Sequence, residues 1–375
     1  MRPTEKFEIA EPWFGQTAPS GLPDPVSMRL EQTEHDVASE GMFWDRDLNL
    51  FDDALIDQTH YLGANNWDET RLVKHRSWHE GKLIGMAQVF AFAMGEGPGL
   101  AYVKYGPAWR RKGETANLVN YIRTVEDLIV RFAEQRKLCL TIAPPADPIH
   151  NEPMIEALHA LGFRYRRELP EPVHYMVDLA PSEEEQLANL SQKWRYNLRK
   201  AQKSGLTARR AEGPEAVSQF LALYGELKQR KGFRDSNWIG DFAEIYRAMP
   251  LCSRPDIVLA YHQDVPVAGA VICRVGDTAA YHFGASSDQA LKLRAGYALH
   301  WWIMRWLSET GEVRWYDLDG VSQNPGLTQF KSGMIGKCGH AWQMPGEFDY
   351  CISAGSRAVA TGIQLLRNAR SRLKH

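Results

Sequence analysis

The sequence predicts an α/β (α+β) protein built from two similar domains in tandem. Three observations lead there. At 375 residues the chain exceeds one average domain, and at roughly 150 residues per domain two are expected. Hydrophobic residues at 44%, charged residues at 24%, 30 Gly and 20 Pro are globular values, which excludes collagenous, low-complexity and largely disordered chains. The third observation is internal. The order hairpin, strand, helix, strand occurs twice, about 180 residues apart, far beyond solenoid periods, so a domain duplication explains it better than a repeat array.

Residues 1–34 carry Pro3, Pro12, Pro19, Pro23 and Pro25 with no sustained period of 2 or 3.6, and read as an extended N-terminal arm. Arg71 to Ser77 and Leu83 to Ala93 flank the turn His79-Glu80-Gly81-Lys82 as a hairpin. In Thr115 to Gln135 the residues Leu118, Ile122, Val125, Ile129 and Phe132 form the stripe of an amphipathic helix, and Leu138 to Ala143 is the next strand. The second half repeats this. Asp256 to Tyr261 and Pro266 to Val275 flank His262-Gln263-Asp264-Val265, Ala279 to Gly284 is a strand, Gly296 to Glu309 a helix ending at Gly311, and Val313 to Leu318 a strand. His79 and His262 thus occupy equivalent surface turns. The expected division is 1–34 arm, 35–178 first domain, 179–352 second domain and 353–375 basic C-terminal helix.

Lys plus Arg at 44 against Asp plus Glu at 46 leaves a net charge of -2, so bulk-charge coating of nucleic acid is excluded and any polyanion site is local. Cys139, Cys252, Cys273, Cys338 and Cys351 are odd in number and never spaced C-x-x-C, which argues against a disulfide framework or a zinc knuckle and for a reducing cytoplasm. Cys338-x-His340 lacks further ligands nearby and reads as incidental, so no metal is expected. Met1 to Trp13 has no apolar signal core, and the stretch Leu83 to Met94 is too short to span a bilayer, so a soluble protein without an ordinary export signal is expected. No G-x-S-x-G elbow or P-loop occurs.

The junction of the two halves is the first candidate for function. Ser182 with Glu185 forms a capping box and Gly205 suits a helix C′ position, bracketing one helix or a pair. Leu187, Leu190, Trp194, Leu198 and Ala201 make an apolar stripe, while Arg195, Arg199 and Lys203 follow at i+4 steps on another side. Between Gln186 and Ala211 there are seven basic residues and no acidic one. Either this is a solvated face complementing a helix C-terminus, or it holds phosphate or an RNA backbone.

The segment R-W-Y-D-L-D-G-V-S-Q-N-P-G-L-T-Q-F-K-S-G-M-I-G, Arg314 to Gly336, is the second. In a strand Trp315, Asp317 and Asp319 share one side, and the turn at Gly320 brings the carboxylates to the strand end. Phe330-Lys331 sits near Gly333 and Gly336, so Lys331 is either an ordinary exposed lysine of a glycine loop or an ammonium aimed at an oxyanion. Arg110 to Thr115 and Leu293 to Ala298 each place a glycine, Gly113 and Gly296, before a long helix, where backbone N–H groups receive anions. Both echo the R/Q-x-x-G-x-G/A pyrophosphate loop of GNAT acyltransferases, with Thr115 and Leu293 departing from it.

Taken together, the basic helix, the second hairpin, the Gly-opened helix, Y-D-L-D-G-V and G-L-x-x-F-K-S-G resemble the FemAB family of non-ribosomal peptidyltransferases over most of residues 180–340, and more loosely over 40–178. The resemblance implies two tandem GNAT-like acyltransferase domains and transfer of an amino acid from aminoacyl-tRNA to an amine acceptor such as a peptidoglycan precursor, with no cofactor. It implies Lys331 as stabiliser of the transfer. For the proton acceptor, Asp317 or Asp319 is the nearest candidate in the sequence, and a substrate carboxylate or phosphate is the alternative. Arg195, Arg199, Lys203, Tyr281, Tyr316, Phe330 and Gly296 would bind substrate. The long helical hairpin of some members has no room between Gly205 and Ile257. The alternatives are an N-acyltransferase using acyl-CoA or acyl-carrier protein, as in BioF2-like and CelD-type relatives, and a non-catalytic RNA- or precursor-binding protein. Arg357, Arg367, Arg370, Arg372 and Lys374, with Val359, Ile363, Leu366 and Leu373 on one face, make the C-terminal helix either a docked element or a peripheral contact with the inner face of a membrane.

Overall fold

The computed structural model describes residues 34–66, 71–93, 97–169, 173–233, 237–320 and 324–373. The arm expected over 1–34 lies outside these residues except for Glu34, which begins a helix. The chain opens with α1 (Glu34–Leu48) and α2 (His60–Asn66). The buried face of α1 runs Gly41, Trp44, Asp45, Leu48, and its Gly and Asp interrupt the apolar stripe by which such a helix is recognised. β1 (Leu72–His79) and β2 (Lys82–Ala93) form the expected hairpin, turning at Glu80 and Gly81 with φ of 49° and 75°. β3 (Gly99–Lys104) is antiparallel to β2, α3 (Leu118–Leu128) continues as a π-helical turn to Glu134, and β4 (Leu138–Ala143) runs parallel to β3. α4 (Asn151–Ala160), β5 (Arg164–Arg167) and β6 (Val173–Asp178) complete this half.

The capping box at Ser182 starts α5 (Glu183–Asn189), and Ser191 starts α6 (Gln192–Gln202), so the bracketed segment is a pair of helices. β7 (Leu206–Ala211), α7 (Gly213–Lys231) and α8 (Phe242–Ala248) follow. The pattern then recurs. β8 (Asp256–His262) and β9 (Val265–Val275) turn at Gln263 and Asp264, with φ of 51° and 63°, and β10 (Thr278–Ser286) is antiparallel to β9. α9 (Asp288–Leu293) and α10 (Ala295–Thr310) lead to β11 (Trp315–Gly320), parallel to β10. α11 (Pro325–Ile335), β12 (His340–Gln343), β13 (Glu347–Tyr350) and α12 (Ala354–Leu373) end the chain.

Two sheets result, ordered β1-β2-β3-β4-β13-β5 and β12-β6-β11-β10-β9-β8-β7. The halves exchange strands. β6 inserts between β11 and β12, and β13 between β4 and β5. A linear division at 178/179 places β6 with the first half and β13 with the second, whereas each strand hydrogen-bonds in the other sheet. One core lies between the first sheet and α3 and α4, centred on Tyr121, Phe132, Leu158 and Phe348. A second lies between the other sheet and α6, α10 and α11.

Cys139 and Cys351 form a disulfide, Cα atoms 4.4 Å apart and 212 residues apart in sequence, a correction to the reading that no disulfide framework exists. β13's return beside β4 creates the pair, which no local spacing encodes. α12 docks through Ala360 and Ile363 against Leu100, Tyr102 and Ala143, and through the Ser356 hydroxyl, which donates to the Lys137 carbonyl, as the docked alternative expected. Its side chains from Leu366 onward lie outside the described ones.

Candidate functional site

The end of β11 gathers charge. Asp317 Oδ2 pairs with His174 Nδ1 at 2.8 Å, because β6 lies antiparallel beside β11. Asp317 Oδ1 accepts from the Asp319 backbone N–H at 2.8 Å, so both its oxygens are committed. Asp319 breaks the strand's alternation. It adopts φ of 63°, a left-handed conformation that non-glycine residues hold at a cost and that clusters at functional sites. Its carboxylate is 48% exposed and lies 3.6 Å from His174 Nε2. Burial alone would lower the His174 pKa, but Asp317 and Asp319 raise it to about 9. Burial pushes the Asp317 carboxyl up, and the His174 charge and hydrogen bond more than reverse that, holding it below its ordinary value.

Lys331 faces this strand end from α11. It is neither exposed nor in a glycine loop: it lies in mid-helix, 5% exposed, and Nζ donates to the carbonyls of Asp319 at 3.2 Å and Gly320 at 2.7 Å. Gly333 and Gly336 serve packing instead. A Cβ at Gly333 would come within 2.8 Å of Ser191, and one at Gly336 within 2.3 Å of the Asn189 carbonyl, so these glycines let α11 approach the α5–α6 junction.

Beneath the charges is a wall of rings. Phe330 lies 5.0 Å from Tyr297 and 5.3 Å from His300, and Tyr281 4.8 Å from His300. His300 is desolvated and faces the Lys331 charge, which lowers its pKa to about 3, and Tyr281 is raised to about 12 by burial and Asp319. Tyr316 does not line the site: it is fully buried with its hydroxyl 2.8 Å from His300 Nδ1. It belongs to the core because its position on β11 alternates with the aspartates.

The first half supplies the opposite side. The 3-10 turn Ile56–Gln58 presents Asp57, whose Oδ1 is 2.6 Å from Lys104 Nζ at the end of β3. Burial raises the Asp57 carboxyl, but Lys104, His282 and His174 together hold it low. Tyr105, at φ of 52°, feels Asp57, Asp319 and Asp317 at once, so charged groups of the two halves approach one another here. Gln58 ties this turn down, accepting from Gln88 N and donating to the Lys104 carbonyl.

The basic helix divides. Arg195 Nη1 donates to the carbonyls of Ala188 and Leu190, at 2.6 and 3.0 Å, closing the C-terminus of α5. It therefore does not stand with Arg199 and Lys203, which lie on the exposed face of α6. Leu187, expected in the apolar stripe, is exposed. The two glycine loops also differ. Asn117 caps α3 and Gly113 precedes the helix by several residues, so the first loop opens no helix. α10 starts at Ala295 with left-handed Arg294 and no side-chain cap, and a Cβ at Gly296 would meet nothing within 4 Å.

His174, Asp57, Lys104 and His282 are the functional candidates that sequence patterns miss. Each is one polar residue of a short strand or turn and belongs to no motif. No helix among the described residues is long and apolar enough to cross a membrane. Cys139, Asp349 and Cys351 lie close together, but the two sulfurs bond each other and Asp349 Oδ1 accepts from Thr141 and Arg166.

Residues 188–332 match the family described as an acetyltransferase (GNAT) domain. No curated protein matches the sequence. Among solved structures, FemX is similar at 16% identity and a TM-score of 0.69, covering 87% of this chain and 98% of that one. The C-terminal domain of a putative lysylphosphatidylglycerol synthetase from Agrobacterium fabrum is similar at 15% identity and 0.53, covering 86% and 95%. L-PGS from Bacillus licheniformis follows at 15% and 0.51, covering 78% and 86%. The fold is therefore two GNAT-like domains in tandem, as the FemAB resemblance implied.

Proposed function

We propose that the cleft transfers an aminoacyl group from aminoacyl-tRNA to an amine acceptor, a peptidoglycan precursor being the acceptor that the FemAB resemblance implies. One observation carries the reading: a buried lysine ammonium sits at the end of β11, beside an ionised His–Asp pair, facing polar groups of the other domain. Such a site is made for a reaction that develops negative charge on a carbonyl oxygen. Two large reactants held in the cleft gain by proximity, for which ideal cases approach ~7 to 11 kcal/mol. Lys331 stabilises the oxyanion of the tetrahedral intermediate, and loss of one such contact typically costs about 2.7 to 4 kcal/mol. Asp319, the more exposed of the two aspartates, holds the acceptor in its ammonium form, while His174 keeps Asp317 ionised. Arg199 and Lys203 meet the donor's phosphates.

A second reading has one observation in its favour, the open, uncapped start of α10 at Gly296, which suits the phosphates of acyl-CoA. One assay separates them. Transfer to a muropeptide acceptor is followed by mass spectrometry, with total aminoacyl-tRNA or acetyl-CoA as donor, with and without RNase, for the wild type and Lys331→Ala. The proposal expects RNase-sensitive transfer that weakens as salt rises and falls about 100- to 1,000-fold in Lys331→Ala. RNase-resistant transfer from acetyl-CoA selects the second reading. Full transfer by Lys331→Ala refutes the lysine's role, and binding without turnover leaves a non-catalytic binder.

A further inference from the structure

His282 is a polar group of the cleft that the transfer scheme above leaves unused. It is the extra residue of a bulge in β10: Tyr281 pairs with Ile272 and Phe283 with Val271, so His282 has no opposite number on β9. Bulges re-aim side chains and gather next to active sites. His282 Nε2 is buried and makes no hydrogen bond among the described residues, although buried polar atoms are paired with few exceptions. Trp238 holds the ring edge-on, with centroids 5.8 Å apart. Asp57, 2.6 Å from Lys104 on β3, lies close enough to feel charge on both His282 and His174.

His174, His300 Nδ1 and Asp317 are committed within the site, and the half-exposed Asp319 carboxylate is the one assigned to the acceptor ammonium. His174 is held by Asp317 and Asp319, His300 Nδ1 by the Tyr316 hydroxyl, and Asp317 by His174 and the Asp319 N–H. A fixed imidazole with an unpartnered nitrogen and a carboxylate within electrostatic reach is the make-up of a general base. We propose that His282 is the catalytic base of the cleft, its Nε2 taking the proton of the acceptor ammonium while Asp57 stabilises the resulting imidazolium. This rests on the transfer reading above. The ammonium gives one proton to Nε2, and the freed amine nitrogen bonds to the donor's carbonyl carbon. Its second proton passes to the leaving oxygen as the ester C–O bond breaks, or to sulfur for a thioester. Amide, free hydroxyl and imidazolium result, and the imidazolium returns its proton to solvent.

The test measures kcat/KM against pH for full-length wild type, His282→Gln and the surface control His79→Gln, with whichever donor and acceptor support transfer, alongside melting temperatures. His282→Gln is expected to lose 100- to 10,000-fold at neutral pH and to lose the acidic limb of the profile, while His79→Gln behaves as wild type. If His282→Gln melts early, Asp57→Asn carries the test, with kcat/KM at neutral pH expected to fall about 10-fold or more. Wild-type rate and limb in His282→Gln, or an unchanged rate in Asp57→Asn, place the base elsewhere and leave the transfer reading standing. A wild type that transfers from no donor overturns both.

Discussion

Lys331, His174 and Asp53 are all ionisable residues less than 10% exposed, and their surroundings give them different fates. Lys331 is solvated by backbone carbonyls and His174 by two carboxylates. Asp53 accepts from the N–H groups of Trp109 and Arg110, but the Arg110 guanidinium is shared with Asp277 at 3.0 Å and Asp147 at 3.3 Å. One cation thus serves three carboxylates. Burial, only partly offset by Arg110, raises the Asp53 pKa from 3.8 to about 7. For His174, raised from 6.5 to about 9, the stabilisation is full below pH 6.5 and is lost as pH rises through 9, at most about 3 kcal/mol. Asp53 is a raised carboxyl, so its contribution is present below pH 3.8 and lost as pH rises through 7, at most about 4 kcal/mol. Both shifts lower stability on the alkaline side, the Asp53 window ending where the His174 window begins. Asp53→Asn keeps an acceptor for the two N–H groups and removes the charge. Thermal melts across pH are expected to show this variant more stable than wild type at pH 8, the difference closing towards pH 4. A variant less stable than wild type at pH 8 would mean that Arg110 holds Asp53 ionised.

Helices and strands were legible in the sequence where periodicity or capping is local. The hairpins, β4, α10 and the α5–α6 pair follow from apolar spacing and turn residues, and the Ser182–Glu185 box is formed as written. Ser182→Ala removes the acceptor for the Glu185 N–H, and a loss of about 1 kcal/mol is expected in denaturant unfolding with the slope unchanged. An unaltered midpoint would mean that α5 is held by Gln186 and Arg195 alone. What the patterns missed depends on tertiary partners. The face of Arg195 was legible, but the α5 carbonyls that claim it are supplied by the break at Leu190. F-K-S-G reads as a loop because it ends in glycine, yet Gly333 lies inside α11, where a bare Cα admits Ser191. Asp317 and Asp319 were visible as a strand-end pair. Their shared partner His174 was not, since it lies 143 residues away from Asp317 in sequence.

The whole molecule is two GNAT-like halves that each lend a strand to the other, and the candidate site depends on that exchange. β6 carries His174 from the first half into the second sheet, where it meets Asp317 on β11. The first half returns Asp57 and Lys104 to the same cleft from its own scaffold. A duplicated pattern is visible in the sequence because each copy repeats its local order. The exchange is not, because β6 and β13 carry no mark of which sheet they join. It follows that the midpoint of the sequence is not a place to cut. A fragment of residues 34–178 lacks β13 between β4 and β5, and its β6 has no sheet to enter. A fragment of residues 179–375 lacks β6 between β12 and β11, opening its sheet beside the aspartates. Strands left with unpaired edges aggregate, so neither fragment is expected to show a cooperative melt alone, whereas co-expression of the two is expected to recover one. Joining residues 34–167 to 344–373 gives β4 and β5 their missing neighbour, together with Cys351 and α12, and this fusion is expected to melt cooperatively by calorimetry. Cooperative melting of fragment 34–178 alone would instead show that β13 is dispensable and that the halves are independent domains laid side by side.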